Sequence, residues 1–159
     1  MKKFFLLIII LYYSFIIFSF SAQPAKNSSA QSGKIVDIIY NAVAKIDVSK
    51  AITKNDFTKV FEPFVRKLAH FGNFLILAVF ISIYVHCFDK TITFSALIVI
   101  ILCLMVASFD ECHQLFVKGR SGKLFDVIID TLGASVGILC FNLIEFMKNN
   151  CGRFLYEKY

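Results

Sequence analysis

Four long apolar runs limit what this chain can fold into. They cover residues 4–20, 64–88, 92–109 and 124–147, and each is near the ~20 residues that a helix needs to span a bilayer. Hydrophobic residues make up 58% of the 159 residues, against about 45–50% in soluble domains. The sequence therefore predicts an all-α fold, a small polytopic membrane bundle of about four transmembrane helices, in one domain by length.

The first run is interpreted in two ways. Lys2 and Lys3 precede it, and Ser19 and Ser21 have the small size and spacing that a signal peptidase accepts. However, the run is longer than the about 7–15 apolar residues of a signal peptide. We therefore expect residues 1–22 to be a retained transmembrane helix, with a signal peptide as the alternative, and a cytoplasmic N-terminus in either case.

Residues 23–63 form a more polar segment, which we expect outside the membrane. Residues 23–33 are rich in Ser, Ala, Asn and Gln and contain a proline, which predicts a loop. Residues 34–48 carry apolar side chains at helical spacing opposite polar ones. This pattern predicts an amphipathic helix, either on the membrane surface or packed on the rest of the protein. Residues 50–62 are polar, with a short helix possible before Pro63.

The remaining helices must bring distant polar residues to one face of the membrane. The second helix starts on one side, the third returns to it, and the fourth starts there again, so residues 64–147 form a core with one shared polar face. A polar tail follows at residues 148–159. The candidate site residues lie at these three helix ends: Arg66, Lys67, His70 and Asn73, then Asp110, Glu111, Gln114 and Arg120, then Asp126 and Asp130.

Charges near the bilayer must be compensated. A charge at a helix centre costs ~2.5–3.5 kcal/mol on the lenient insertion scale, and the first turns of a helix favour an anion. We therefore expect Arg66, Lys67 and Arg120 to pair with Asp110, Glu111, Asp126 or Asp130. The resulting prediction is a buried, charge-paired cluster at the mouth of the bundle.

Three of these residues are catalytic candidates. His70 is a potential general base or metal ligand, or alternatively a helix-end histidine hydrogen-bonded to a carboxylate. Asp110 and Glu111 are a potential acid and base, or alternatively ligands of a divalent cation with Asp126 and Gln114. Adjacent carboxylates on a helix point in different directions, so both need not serve one centre. The substrate-binding candidates are Arg66, Lys67, Gln114, Arg120, Asp126 and Asp130.

Arg120 has two readings, because an arginine can bind a phosphate or carboxylate with two hydrogen bonds or pair with Asp126 or Glu111. The sequence has no HExxH or similar zinc spacing, so no metal site is predicted, and it indicates no particular cofactor.

The partners follow from charge and from one glycine motif. The net charge is +6, but no soluble basic cluster with interleaved aromatics appears, which argues against nucleic acid. Lysines beside apolar runs fit lipid headgroups better, so the expected partner is a membrane lipid or a lipid-linked envelope molecule. Gly133 and Gly137 form a GxxxG motif through which a further helix can approach closely.

The polar residues resemble the VanZ-like family. The similarity is carried by Arg66-Lys67-x-x-His70-Phe71, by Asp110-Glu111-x-x-Gln114-x-Phe116-x-x-Gly119-Arg120, and by Asp126 with Gly133-Ala134-x-x-Gly137. Two positions depart from the family pattern: Lys118 stands where the family usually has proline, and Asp130 where it often has asparagine. The resemblance implies an integral membrane protein, usually of Gram-positive bacteria, whose founding member raises resistance to the lipoglycopeptide teicoplanin. It implies a phenotype and no established reaction.

Three functional hypotheses remain open. The first is an enzyme that modifies an anionic, lipid-linked envelope precursor. The second is a binding protein that holds such a molecule without chemistry, and the third is a subunit that binds a partner through its glycine face. We expect the bacterial plasma membrane as the location, with the polar site on the extracytoplasmic side. The charge count opposes this orientation, because 11 of the 17 Lys and Arg residues lie on the site's side and 6 on the other.

Overall fold

The chain folds into a bundle of helices. The computed structural model describes residues 1–44, 53–88 and 91–156, and these residues form α-helices and connections without a strand. The five helices are α1 Lys2–Ser21, α2 Ala25–Ala44, α3 Lys54–His86, α4 Ile92–Gln114 and α5 Leu124–Tyr156. In the described part, α1, α3, α4 and α5 are long and apolar enough to span a membrane. The predicted fold class, with an additional helix between the first two spans, is confirmed.

The helix α3 is the centre of the bundle, because it contacts each of the other four helices. Phe74, Leu77 and Ala78 on its inner face are fully buried, together with Cys103 of α4 and Ala134 of α5. Many large apolar side chains of α1, α4 and α5 face outward instead. This distribution suits helices that face lipid, because lipid replaces water around their outer surfaces.

The predicted loop at residues 23–33 is wrong, because α2 begins at Ala25. Pro24 precedes the helix, a place where proline's fixed φ and missing N–H are tolerated. Ser32 is buried, and its hydroxyl donates to the Ser28 carbonyl at 2.9 Å. A backbone acceptor within the helix thus satisfies one of the polar side chains that had indicated a loop.

One face of α2 packs on α3, with Val36 fully buried. Ile35 and Ile38 on the same helix are 49% and 70% exposed. The amphipathic helix thus docks on the protein and leaves an apolar flank for the membrane surface. The predicted residues 45–48 of this helix lie outside the described part of the chain.

The helix α3 runs through Pro63, so the expected boundary before residue 64 is wrong. Thr53 caps the helix, since its hydroxyl accepts from the Asp56 N–H at 3.3 Å. Phe57 stacks on Phe61 at 4.1 Å and contacts Tyr40 of α2 at 5.3 Å between ring centroids. This aromatic packing on α2 holds the extra turns in place despite the proline, which normally disfavours the preceding helix.

The other membrane helices are also longer than their apolar runs. The helix α4 continues to Gln114 instead of ending at residue 109, and α5 continues to Tyr156, through most of the predicted polar tail. The first five residues of the polar stretch between the third and fourth runs, residues 110–114, are therefore helical. This places Asp110 and Glu111 about one turn before Gln114 on α4.

The glycine face of α5 packs directly on α3. A Cβ atom at Gly133 would collide with the Phe71 carbonyl oxygen, and one at Gly137 with the Leu75 carbonyl oxygen. The GxxxG motif thus allows close approach, as predicted, and the helix that approaches it belongs to the same chain.

We expect Gly133→Ala to destabilise the bundle. The added methyl group meets a backbone oxygen that cannot rotate away, and such overpacking typically costs about 1–3 kcal/mol. Thermal unfolding of the purified protein in detergent measures the effect as a lower midpoint. Gly72→Ala on α3 is the matched control, because a Cβ there has no neighbour within 4 Å. Equal midpoints for the two variants would contradict the tight α3–α5 contact.

Candidate functional site

The three polar helix ends meet around a cavity of about 280 Å³, which we call the polar chamber. Its walls come from the N-terminal half of α3, the end of α4, the connection between α4 and α5, and the start of α5. The lining residues are Pro63, Arg66, Lys67, His70, Gln114, Gly119, Arg120, Ser121, Lys123, Asp126 and Ile129. The convergence predicted from connectivity is therefore present in the fold.

Cations outnumber carboxylates in this lining. Arg66, Lys67, Arg120 and Lys123 line the chamber, whereas Asp126 is the one carboxylate among the lining residues. Lys67 Nζ lies 3.9 Å from Asp126 Oδ1, so this predicted pair forms at the outer limit of an ion pair. The chamber is positively charged overall.

Arg66 pairs within its own helix and with α2. Its Nη2 donates to Glu62 Oε1 and to the Ser29 hydroxyl, both at 2.9 Å. The expected partners of Arg66 among the carboxylates of α4 and α5 are therefore wrong. Its Nε is buried and has no hydrogen-bond partner among the described residues.

Arg120 is oriented by a tight turn. Gly119 has a φ of +78°, a conformation that glycine adopts without steric cost, and the Arg120 N–H donates to the Val117 carbonyl at 3.0 Å. The guanidinium then donates to the backbone carbonyls of Gln23 at 3.0 Å and Phe20 at 3.4 Å. Arg120 thus lies against the C-terminal end of α1, where a helix favours a cation.

No carboxylate in the described part of the chain pairs directly with Arg120. Besides the two carbonyls, it donates to Gln114 Oε1 at 3.4 Å, so the expected pair with Asp126 or Glu111 is wrong. Burial, followed by repulsion from Arg66, lowers the pKa of the Arg120 guanidinium, although arginine retains its charge in proteins. Its positive charge is therefore not neutralised within bonding distance.

Asp110 and Glu111 lie behind the chamber and are not among its lining residues. Asp110 is fully buried and accepts from the Ser21 hydroxyl at 2.8 Å and from Gln114 Nε2 at 3.0 Å. Glu111 accepts from Gln114 Nε2 at 3.0 Å and from the Lys123 N–H at 2.7 Å. The two carboxylates therefore connect α4 to α1 and to the start of α5.

His70 is the one proposed catalytic residue whose side chain reaches the chamber. Its Nδ1 lies 3.7 Å from Asp130 Oδ1, which is too long for a hydrogen bond. Asp130 is fully buried, and neither of its carboxylate oxygens has a hydrogen-bond partner among the described residues. Asp130 thus lies behind His70, outside the chamber.

The two remaining candidates, Gln114 and Asn73, also differ in whether they line the chamber. Gln114 lines the chamber and connects Arg120 to both buried carboxylates. Asn73 lies one turn deeper, where its side-chain oxygen accepts from the Tyr13 hydroxyl at 3.3 Å. In the described chain, no group of three or more His, Cys, Asp or Glu side chains is placed to hold a metal ion.

Sequence reasoning missed the contributions of α1 and α2. Ser21, Gln23 and Ser29 bond to Asp110, Arg120 and Arg66. Ser21 lies at the end of an apolar run. Its hydroxyl could have indicated a residue of the site instead of part of a signal-peptidase cleavage site. The carbonyl of Gln23 gives no sequence signal at all.

The comparison with protein families covers nearly the whole bundle. The VanZ/LLP1 family model matches residues 4–145. The chain belongs to the VanZ/LLP1 family. No curated protein and no solved structure matches it. The motifs that suggested this family span residues 65–137, whereas the VanZ/LLP1 match also includes α1 and α2, the helices that bond to Asp110, Arg120 and Arg66.

We expect Asp110→Ala to lower the stability of this VanZ/LLP1 protein. The Ser21 hydroxyl and the Gln114 amide lose a buried acceptor, and an unsatisfied buried polar group costs about 1–3 kcal/mol. Thermal unfolding in detergent measures the change, and the exposed neighbour Cys112 provides the control variant Cys112→Ala. An unfolding midpoint unchanged from wild type would argue against a structural role and would return Asp110 to the catalytic candidates.

Proposed function

We propose that the protein binds an anionic, membrane-anchored molecule at the cell envelope and holds its headgroup in the polar chamber. The observation that carries the proposal is the excess of cations in the chamber lining, above all Arg120, whose charge no carboxylate of the described residues neutralises directly. A phosphate or carboxylate in the chamber supplies the missing negative charge.

The type of cation supports an oxyanion as the ligand. Guanidinium groups bind phosphates and carboxylates through two parallel hydrogen bonds, and the chamber has two of them, Arg66 and Arg120. Both are partly held by protein acceptors, which fixes their positions before a ligand arrives. Such preorganisation lowers the entropic cost of binding.

The position of the chamber supports a membrane-anchored ligand. The chamber lies where α3, α4 and α5 reach the polar end of their membrane-spanning runs, which is the level of lipid headgroups. An anion attached to a lipid is concentrated at that level, and lysine and arginine attract anionic headgroups there.

The geometry favours binding over chemistry. Of the proposed catalytic residues, Asp110 and Glu111 lie outside the chamber and bond to other protein groups, so an acid and a base do not face one reacting atom. His70 remains at the chamber wall, where an imidazole N–H can donate a hydrogen bond to an anionic headgroup. This arrangement supports the binding hypothesis against the enzyme hypothesis.

A role in lipoglycopeptide susceptibility extends the same proposal. The VanZ-like resemblance implies a link to teicoplanin, which acts at the cell wall. A protein that holds a lipid-linked envelope precursor changes how much of that precursor the antibiotic can reach. We propose this effect as the consequence of binding in the polar chamber.

We further propose that the chamber faces outward from the bacterial plasma membrane. Lys2 and Lys3 favour a cytoplasmic N-terminus, and four spans then return the C-terminus to the cytoplasm. A fluorescent protein that folds only in the cytoplasm, fused after Tyr159, should therefore fluoresce. A fusion protein that is present at normal abundance but does not fluoresce would contradict this orientation.

We expect Arg66→Gln and Arg120→Gln each to weaken binding of undecaprenyl phosphate by tenfold or more, because a hydrogen bond to a charged group contributes about 1.5–3 kcal/mol. The affinity is measured on the full chain in zwitterionic nanodiscs, with uncharged undecaprenol as the comparison ligand. Lys148→Gln is the control, because Lys148 pairs with Glu145 on the exposed surface of α5, away from the chamber.

The same variants test the cellular effect. Cells that express the wild-type protein should tolerate more teicoplanin than cells that express either arginine variant at equal abundance. If the wild-type protein, with a normal unfolding midpoint, bound undecaprenyl phosphate and undecaprenol with equal affinity, that result would contradict headgroup binding.

A further inference from the structure

A second cavity adjoins the polar chamber. It has a volume of about 290 Å³ and lies between α1, α2 and α3, and we call it the lateral slot. Ile17 and Phe20 of α1, Ile35 of α2, and Val65 and Ala69 of α3 are among its lining residues, and most of its surface is apolar. The slot therefore suits a hydrocarbon better than an anion.

The slot and the chamber share a wall. Arg66, His70 and Arg120 line both cavities, so one molecule can place a charged group on these side chains and extend an apolar part on their other side. About half of the chamber surface is polar, whereas the slot surface is mostly apolar although Ser28, Gln31, Ser32 and Asn73 also line it. This difference suits an amphiphile.

The slot points into the bilayer. Its α3 wall runs from Val65 past Ala69 to Asn73, a rise of roughly 12 Å at ~1.5 Å per residue, and α3 becomes continuously apolar in this direction. Ile17 and Phe20 belong to the last turns of the membrane-spanning α1. The slot thus occupies the part of the bilayer directly below the headgroup level.

The slot is open toward the side of the bundle. Phe20 and Ile35 on its two edges are 53% and 49% exposed, so the gap between α1 and α2 is not closed by packing among the described residues. An apolar gap at this depth suits contact with lipid chains, whereas a water-soluble anion gains no favourable interaction there.

We propose that the lateral slot holds the hydrocarbon chain of the molecule whose anionic headgroup occupies the polar chamber. This inference rests on the proposed function and specifies its ligand: an anionic amphiphile with a long chain, which enters sideways from the bilayer between α1 and α2. The guanidinium groups of Arg66 and Arg120 lie at the junction between its headgroup and its chain.

Chain length and a filled slot test the proposal together. The probes are undecaprenyl phosphate, with a long chain, and isopentenyl phosphate, which has the same headgroup on five carbons. Ala69→Phe fills the slot, and Leu68→Phe is the control, because Leu68 is 56% exposed and lines neither cavity. We expect Ala69→Phe to weaken undecaprenyl phosphate about tenfold, or about 1.4 kcal/mol, and to leave isopentenyl phosphate and both affinities of Leu68→Phe unchanged.

The outcomes separate the inference from the proposed function. Arg120→Gln should weaken both probes; if it weakens neither, the headgroup proposal fails. If Arg120→Gln weakens both probes while Ala69→Phe affects neither, or affects both equally, the chamber stands and the slot is overturned.

A second measurement uses the unaltered protein and does not depend on a variant's folding. Undecaprenyl phosphate with a photoreactive group on its chain should cross-link to residues 17–20 and 28–35, which border the slot. Cross-links confined to the outward face of α4, at residues 97–105, would contradict the proposal.

Discussion

A fully buried carboxylate at the polar end of the bundle holds the mouth of the structure together. Asp110 receives hydrogen bonds from Ser21 at the end of α1 and from Gln114 one turn further along α4. A buried polar group without hydrogen bonds would be costly, so the two donors to Oδ2 favour the meeting of α1 and α4 there. Oδ1 has no partner among the described residues. Gln114 extends the same network to Glu111 and Arg120, and Glu111 fixes the start of the α5 segment through the Lys123 N–H.

This network separates the acidic groups from the basic ones. Asp110, Glu111 and Asp130 lie inside the protein, behind the chamber, whereas Arg66, Lys67 and Arg120 line it. Lys123 also lines the chamber and Asp126 is the one carboxylate among the lining residues, so cations outnumber carboxylates there. Arg66 pairs with Glu62 and Lys67 lies 3.9 Å from Asp126, whereas no carboxylate of the described residues bonds directly to Arg120. The proposed binding of an anion rests on this remaining excess of cations in the chamber lining.

The sequence predicts the helical architecture and the residues of the site better than the hydrogen bonds that those residues form. The connectivity of four spans brings Arg66, His70, Gln114 and Asp126 to one face, because alternate ends of consecutive spans must share a side of the membrane. It does not predict that Arg120 bonds to the carbonyls of Phe20 and Gln23, since a backbone acceptor leaves no trace in residue type. The start of α2 at Ala25 and the continuity of α3 through Pro63 were missed for a related reason. Both depend on the packing of α2 on α3, which overrides the local preference for a loop or a break.

A shared polar chamber requires that the start of α3, the end of α4 and the start of α5 open on one water-accessible face. Single cysteines at positions 67, 120 and 126, in a chain whose five native cysteines are replaced, test it through labelling with a membrane-impermeant maleimide in sealed, oriented vesicles. Met105→Cys, at an exposed position within the apolar run of α4, is the unlabelled control. The structure predicts that all three positions react from the same side of the membrane and that position 105 does not react. Labelling of any two of the three from opposite sides would contradict a shared chamber.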